Sequence, residues 1–154
     1  MVQSNYIFRL SLIIGFCLFG VINLSAQAEN SWALFEDATF KDVYLEEFGA
    51  YASLLVDDKD IGALHGQEIT IKGYHIPVME DQLVILSKYP NANCFFCGGA
   101  GLESIVEVRL INAPKRRFLM DEILTFKGTM HVNTTDYNLV SFILINAELV
   151  ERAH

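Results

Sequence analysis

Apolar and polar positions alternate along much of the chain after Gly66, which predicts five β-strands. The predicted strands are residues 69–78, 83–87, 105–110, 123–132 and 139–150. In the first of them the apolar positions change face at Gly73, so we predict a β-bulge there that returns Tyr74, Ile76 and Val78 to the core side. The strand number, a second glycine at Gly128 and the lack of a strong helix pattern predict an all-β fold, a small five-stranded OB-like barrel. A β-sandwich is the alternative architecture.

The chain before Leu64 shows no clean period of 2 or 3.6 residues. Six aromatic residues lie in this part: Trp32, Phe35, Phe40, Tyr44, Phe48 and Tyr51. We predict an N-terminal extension of strand and turn segments that packs against the barrel, with a short helix near residues 58–64. No repeat or low-complexity linker interrupts residues 29–154, which are therefore predicted to form a single domain.

The first 28 residues have the pattern of a secretory signal peptide. One charged residue, Arg9, precedes an apolar run from Leu10 to Ile22, and the segment ends at Ala26-Gln27-Ala28. This run is shorter than the roughly 20 residues that a membrane-spanning helix needs. We expect cleavage after Ala28, no transmembrane segment in the mature form, and a periplasmic or secreted location.

Composition narrows the function classes. The 154 residues carry 11 Lys and Arg against 19 Asp and Glu, a formal charge of −8, and loss of Arg9 with the signal would move this charge to −9. A negative protein repels a polyanion, so nucleic acid is not expected as a partner. A hydrophobic fraction of 52% excludes a wholly disordered chain. The chain has no nucleophile elbow, phosphate loop or dinucleotide fingerprint, which argues against an enzyme.

Two cysteines, Cys94 and Cys97, are the main chemical feature of the predicted mature chain. They enclose two phenylalanines and are followed by three glycines, Gly98, Gly99 and Gly101, a composition typical of a loop. Two thiolates at this spacing supply half of a tetrahedral shell for zinc or another thiophilic ion. A homodimer sharing four cysteines would complete such a shell.

Two other interpretations of the cysteine pair stay open. The pair can form a structural disulfide, although closing so small a loop stabilises by only about 2 kcal/mol. In that case the domain would be an adaptor of a cell-envelope complex. The pair can also exchange disulfides, since a short strained ring is reactive, but no helix follows the cysteines to lower a thiol pKa.

Histidines are the candidates for the ligands that the cysteine pair does not supply. If the first two strands pair around Asp81, residues whose numbers sum to about 162 lie opposite each other, which brings His65 towards Cys97. In an OB barrel the fourth strand is antiparallel to the first, so His131 reaches the same end. His75 is about 20 Å farther along the first strand. His65 and His131 are therefore the candidate additional ligands, although a turn residue and an exposed non-ligand histidine are the ordinary interpretations.

Three segments together resemble an exported bacterial family of uncharacterised function. They are Gly73-Tyr74-x-Ile76-Pro77, the run from Cys94 to Gly101, and Phe126-Lys127-Gly128-Thr129-Met130-x-Val132-Asn133. The family looks like a branch of a broader group of exported bacterial proteins of unknown function, in which a histidine follows two residues after the cysteine, at the place of Phe96. The resemblance implies that Cys/His in relatives and Cys/Cys here both serve as metal ligands. It implies no enzymatic activity.

Overall fold

A computed structural model describes residues 31–57, 59–78, 83–93 and 98–153. Its seven strands are β1 (Phe40–Leu45), β2 (Ala50–Leu55), β3 (Glu68–Ile76), β4 (Val84–Ser87), β5 (Ile105–Leu110), β6 (Ile123–Val132) and β7 (Phe142–Ala153). A single-turn helix α1 (Lys59–Gly62) and 3-10 helices at Ser31–Phe35, Asn91–Asn93 and Leu102–Ser104 complete the described elements. The predicted signal peptide lies outside the described residues.

Strands β3 to β7 close into a barrel with the order β3-β4-β5-β7-β6, which confirms the predicted small five-stranded barrel. The first barrel strand pairs with both β4 and β6, and all neighbours are antiparallel except β5 and β7. Opposed residues of β3 and β4, such as His75 and Leu86, sum to 161, one less than predicted. The fourth barrel strand, β6, is antiparallel to β3 as expected for an OB arrangement.

The main core lies inside the barrel and follows the alternation seen in the sequence. In β6 the inward side chains of Leu124, Phe126 and Met130 are at most 1% exposed. Gly128 is the inward position between them, and a Cβ there would lie 2.8 Å from the carbonyl oxygen of Ile145 on β7. Only a residue without a side chain lets the two backbones approach this closely.

The predicted bulge at Gly73 does not form in the pairing between β3 and β6. Their register is constant from Glu68 to Tyr74, so the faces keep alternating through Gly73. Ile76 is nevertheless 3% exposed, because it belongs to a second apolar cluster with Ile85 and Ile105. Partly buried side chains pack against this cluster from elsewhere: Val78, Leu83, Leu102 and Val140. Apolar residues on both faces here indicate two layers of packing instead of a bulge.

The N-terminal extension packs against the barrel as predicted. The 3-10 helix Ser31–Phe35 contributes Phe35, whose ring centre is 4.4 Å from that of Phe142. Trp32 donates its indole N–H to the carbonyl of Lys72, 2.6 Å away. Strands β1 and β2 form a separate antiparallel hairpin, and α1 is the short helix expected between residues 58 and 64.

The last strand begins at Phe142, three residues after the predicted start. The side-chain amide of Asn133 explains the delay, because its Nδ2 donates to the carbonyl oxygens of Asp136, Leu139 and Val140. These hydrogen bonds hold residues 136–140 in a loop before the strand begins. Within the described ranges, no helix has the length and apolar character needed to cross a bilayer.

Candidate metal-binding residues

His65 and His131 lie side by side, as the strand order predicted. His65 is in the turn after α1, and this turn is joined to β6 by backbone hydrogen bonds from Gly66 N to Met130 O and from Met130 N to Gln67 O, both 2.8 Å. His131 is the penultimate residue of β6. Two elements far apart in sequence therefore bring the two imidazoles to one end of the barrel.

The ring centres of His65 and His131 are 4.8 Å apart, with an angle of 59° between the ring planes. A metal–nitrogen bond of about 2.0–2.1 Å places an imidazole centre about 3.2 Å from the ion. Two imidazoles on one ion then have centres about 4.5 to 5.2 Å apart, for ligand angles between about 90° and 109°. The observed separation falls within that interval, so the spacing of the two rings suits ligation of one ion.

One nitrogen of His65 already has a hydrogen bond. The backbone N–H of Val132 donates to Nδ1 of His65 over 3.3 Å, so the ring proton of the neutral imidazole lies on Nε2. An ion bound at Nε2 displaces that proton and leaves Nδ1 as the protonated nitrogen, which breaks the contact with Val132. This hydrogen bond is long and exposed, so breaking it costs little free energy.

Cys94 and Cys97 lie outside the described residues, but the chain on both sides of them is described. The backbones of Asn93 and Gly99 touch, because a Cβ at Gly99 would be 2.7 Å from the carbonyl oxygen of Asn93. Gly98 has φ +75°, in the left-handed region that favours glycine. The glycines after the cysteines are thus needed to bring the two flanks of the pair together.

The residues leading into this loop lie near the start of β6. The backbone N–H of Asn91 donates to Oδ1 of Asp121 over 2.6 Å, and Asp121 lies just before β6. His131 is at the opposite end of that strand, about 26 Å along it from Ile123 at about 3.3 Å per residue. The described flank of the cysteine pair and the histidine pair are therefore associated with opposite ends of β6, whereas the sequence predicted His65 and His131 at the Cys97 end.

His75 has a structural role. It is 7% exposed, and because a carbonyl oxygen only accepts, its Nδ1 donates to Leu119 O over 2.9 Å. Its ring also contacts Phe118 edge-on, with centres 5.6 Å apart. Over the described part of the chain, no three His, Cys, Asp or Glu side chains form a group that could hold a metal ion.

Sequence reasoning missed a buried ion pair next to His75. The carboxylate of Glu122, with a side chain 2% exposed, accepts from both Nε and Nη2 of Arg152, and also from the backbone N–H of Leu119 over 2.8 Å. The guanidinium of Arg152 lies over the ring of Phe118, 4.9 Å from its centre. The hydrogen bond from Arg152 is the main reason that the pKa of Glu122 is held below its usual value. The sequence does place Glu122 and Arg152 just outside the ends of two predicted strands. Because they are 30 residues apart, no local pattern indicates that they pair.

Comparison with known proteins gives one structural likeness. No family model matches the chain, and no curated protein matches it. A structure search finds that the chain is similar to a crystal structure described as a DUF3299 family protein from Pseudomonas aeruginosa PAO1, with 17% sequence identity and a TM-score of 0.44. The match covers 66% of this chain and 70% of the other. The similar protein is of an uncharacterised family.

Proposed function

We propose that the protein is an exported binding module that takes up zinc or another thiophilic metal ion. Cys94 and Cys97 are the proposed donors at one site. The single observation that carries the proposal is the His65–His131 pair, whose 4.8 Å separation suits two ligands of one ion.

Two sites are favoured over one. The hydrogen bond between Asn91 and Asp121 associates the cysteine flank with the start of β6, whereas His131 is near the end of that strand. Each pair then supplies two donors, and water or a second copy of the chain completes the shell. A pair of imidazoles binds zinc, copper and nickel, while a pair of thiolates favours softer ions.

Export is a separate part of the proposal. The pattern of the first 28 residues supports it, and mass spectrometry of the protein recovered from the periplasm or medium tests it. We expect a mature chain that begins at Glu29. A full-length chain found only in the cytoplasm would contradict export without affecting the metal sites.

Metal content and intact mass of the protein, purified without added metal or reductant, test the binding function. Zn²⁺ is then titrated into the protein and into two double variants, Cys94→Ser/Cys97→Ser and His65→Asn/His131→Asn. We expect each double variant to lose one bound ion and keep the other. A His154→Asn variant, which removes an imidazole outside the pair, is the control and keeps both.

Other results would select the alternatives. A mass two hydrogens light, without metal and without Zn²⁺ uptake after reduction, would support a disulfide and an adaptor role, and a reduction potential would then separate a stable bridge from a redox pair. Loss of the same single ion in both double variants would mean that all four donors share one site.

A further inference from the structure

An open cavity of about 720 Å³ lies between the chain after β5 and strand β7. Its apolar wall is formed mainly by Leu110, Phe118, Ala147 and Leu149. Phe118 is fixed there by its contact with the core residue Phe126, with ring centres 5.9 Å apart. Leu149 remains 42% exposed. An apolar chain lying in the cavity would remove this surface from water.

Cationic side chains line the cavity as well. Lys115, Arg116 and Arg152 contribute to the lining, against the carboxylate of Glu148 in the lining and that of Glu122, which pairs with Arg152. This concentration of positive charge contrasts with the formal charge of −8 on the whole chain. The local balance therefore favours an anion at a place where the protein as a whole would repel one.

The guanidinium of Arg116 makes only a long contact with Glu122. Glu122 already accepts hydrogen bonds from Nε and Nη2 of Arg152. The Nη2 atom of Arg116 lies 3.4 Å from Oε1 of Glu122, so its interaction with the carboxylate is weak. The side chain of Arg116 is 51% exposed. A guanidinium has five N–H donors in a planar fork, so Arg116 retains donors for a carboxylate or phosphate.

We propose that this cavity binds an amphipathic anion, a molecule with one apolar chain and a carboxylate or phosphate head. The head contacts Lys115 and Arg116, and the chain lies against Leu110 and Leu149. The volume is within the range of about 300–1,000 Å³ typical of small-molecule sites. Both halves of the ligand are required, because the lining combines apolar side chains with the cationic Lys115 and Arg116.

Calorimetric titration with monomeric dodecyl phosphate tests the proposal. Dodecyltrimethylammonium has the same chain with the opposite charge, and inorganic phosphate has the head without the chain. We expect dodecyl phosphate to bind at least 10-fold more tightly than either. Equal binding of the two dodecyl compounds would overturn the role of the cations, and equal binding of inorganic phosphate would overturn the role of the apolar wall.

Variants locate the site. Lys115→Gln/Arg116→Gln should weaken dodecyl phosphate binding at least 10-fold, as should Leu149→Gln. The control Lys41→Gln/Lys127→Gln makes the same change in net charge on exposed strand positions and should leave binding unchanged. If both charge variants weaken binding equally, the effect is general electrostatics and the proposed site is wrong.

Vesicles distinguish a free ligand from a membrane surface. Phosphatidylglycerol vesicles are mixed with the protein and sedimented. If the protein sediments with vesicles but does not bind monomeric dodecyl phosphate, the basic segment recognises a membrane and the cavity proposal fails. None of these outcomes depends on Cys94, Cys97 or the histidine pair. The experiments therefore test this proposal independently of the metal proposal.

Discussion

Replacing Glu122 with glutamine should destabilise the barrel measurably, because it removes one partner of a buried ion pair. The glutamine has nearly the same shape, so the main change is the loss of a negative charge. Arg152, whose side chain is 16% exposed, would then keep its positive charge in a largely desolvated place. Arg116 would face it without the carboxylate between them.

The magnitude follows from burial. Removing one member of a buried pair costs about 3–5 kcal/mol in free energy of unfolding. The partial exposure of Arg152 and the remaining amide oxygen, which can still accept from Leu119 N–H, lower this to about 2–3 kcal/mol. The control is Glu68→Gln, which removes a carboxylate from an ion pair with Lys127 whose two side chains are 68% and 46% exposed. An exposed pair contributes about 0–1 kcal/mol.

Urea unfolding at pH 7 measures both variants. Trp32 is the single tryptophan of the chain and is 6% exposed, so its fluorescence reports unfolding of the core. We expect the Glu122→Gln midpoint to fall well below that of Glu68→Gln at similar slopes. If the two variants differ by less than about 0.5 kcal/mol, Glu122 and Arg152 do not form the buried pair described above.

The pH dependence gives a second check on the same pair. The pKa of Glu122 is lowered in the folded protein, mainly by the hydrogen bond from Arg152, relative to its ordinary value of 4.5. A carboxyl group with a lowered folded-state pKa stabilises the fold fully above its unfolded pKa, and loses that contribution as pH falls through the folded value. The gap between wild type and Glu122→Gln should therefore be constant near pH 7 and shrink below about pH 4.5. A gap that widens in acid would contradict this assignment.

Three further changes have defined outcomes. Gly128→Ala should lower the free energy of unfolding by about 1–3 kcal/mol in urea, because its Cβ would meet the β7 backbone. Gly99→Ala should reduce metal uptake at the cysteine pair in metal analysis, since the new Cβ would push against Asn93, whereas uptake at the histidine pair should persist. Glu47→Gln should lower the pKa of Tyr137 towards 10, because the hydrogen bond from the phenol to Glu47 is the main cause that raises it, and an NMR titration of the Tyr137 ring would show this.

Local alternation of apolar and polar residues was enough to predict two of the barrel strands. The bounds of β5 and β6 agree with the prediction, because inward residues such as Val108 and Phe126 have polar neighbours in sequence. The predicted bulge at Gly73 was wrong because β3 is buried on its outer face as well, at Ile76. That second layer comes from Leu102 and Val140, which are distant in sequence and leave no mark on the pattern of β3.

The candidate site was predictable only where topology determines it. His65 and His131 could be placed together once the fourth barrel strand was assumed to be antiparallel to the first. The Glu122–Arg152 pair could not, because the segment before β6 has no periodicity and the match depends on where β7 ends. Lys115 and Arg116 lie far from Leu149 in sequence, and only the fold brings them into one cavity with it.

The histidine pair and the proposed cavity should act on stability independently, although both adjoin β6. The histidine pair lies near the end of β6, and Arg152 of the cavity pairs with Glu122 just before its start, with about 26 Å of strand between Ile123 and His131. A ligand that binds only the folded state adds about 2.7 kcal/mol when its free concentration is 100 times its Kd. Effects at sites so far apart, with no shared partner among the described side chains, add within about 0.5 kcal/mol. In the Cys94→Ser/Cys97→Ser variant, Zn²⁺ is left with the histidine pair, and the stabilisation by Zn²⁺ and dodecyl phosphate together should therefore equal the sum of the two measured alone. A sum that fails by more than 1 kcal/mol would mean that the barrel changes shape when either ligand binds.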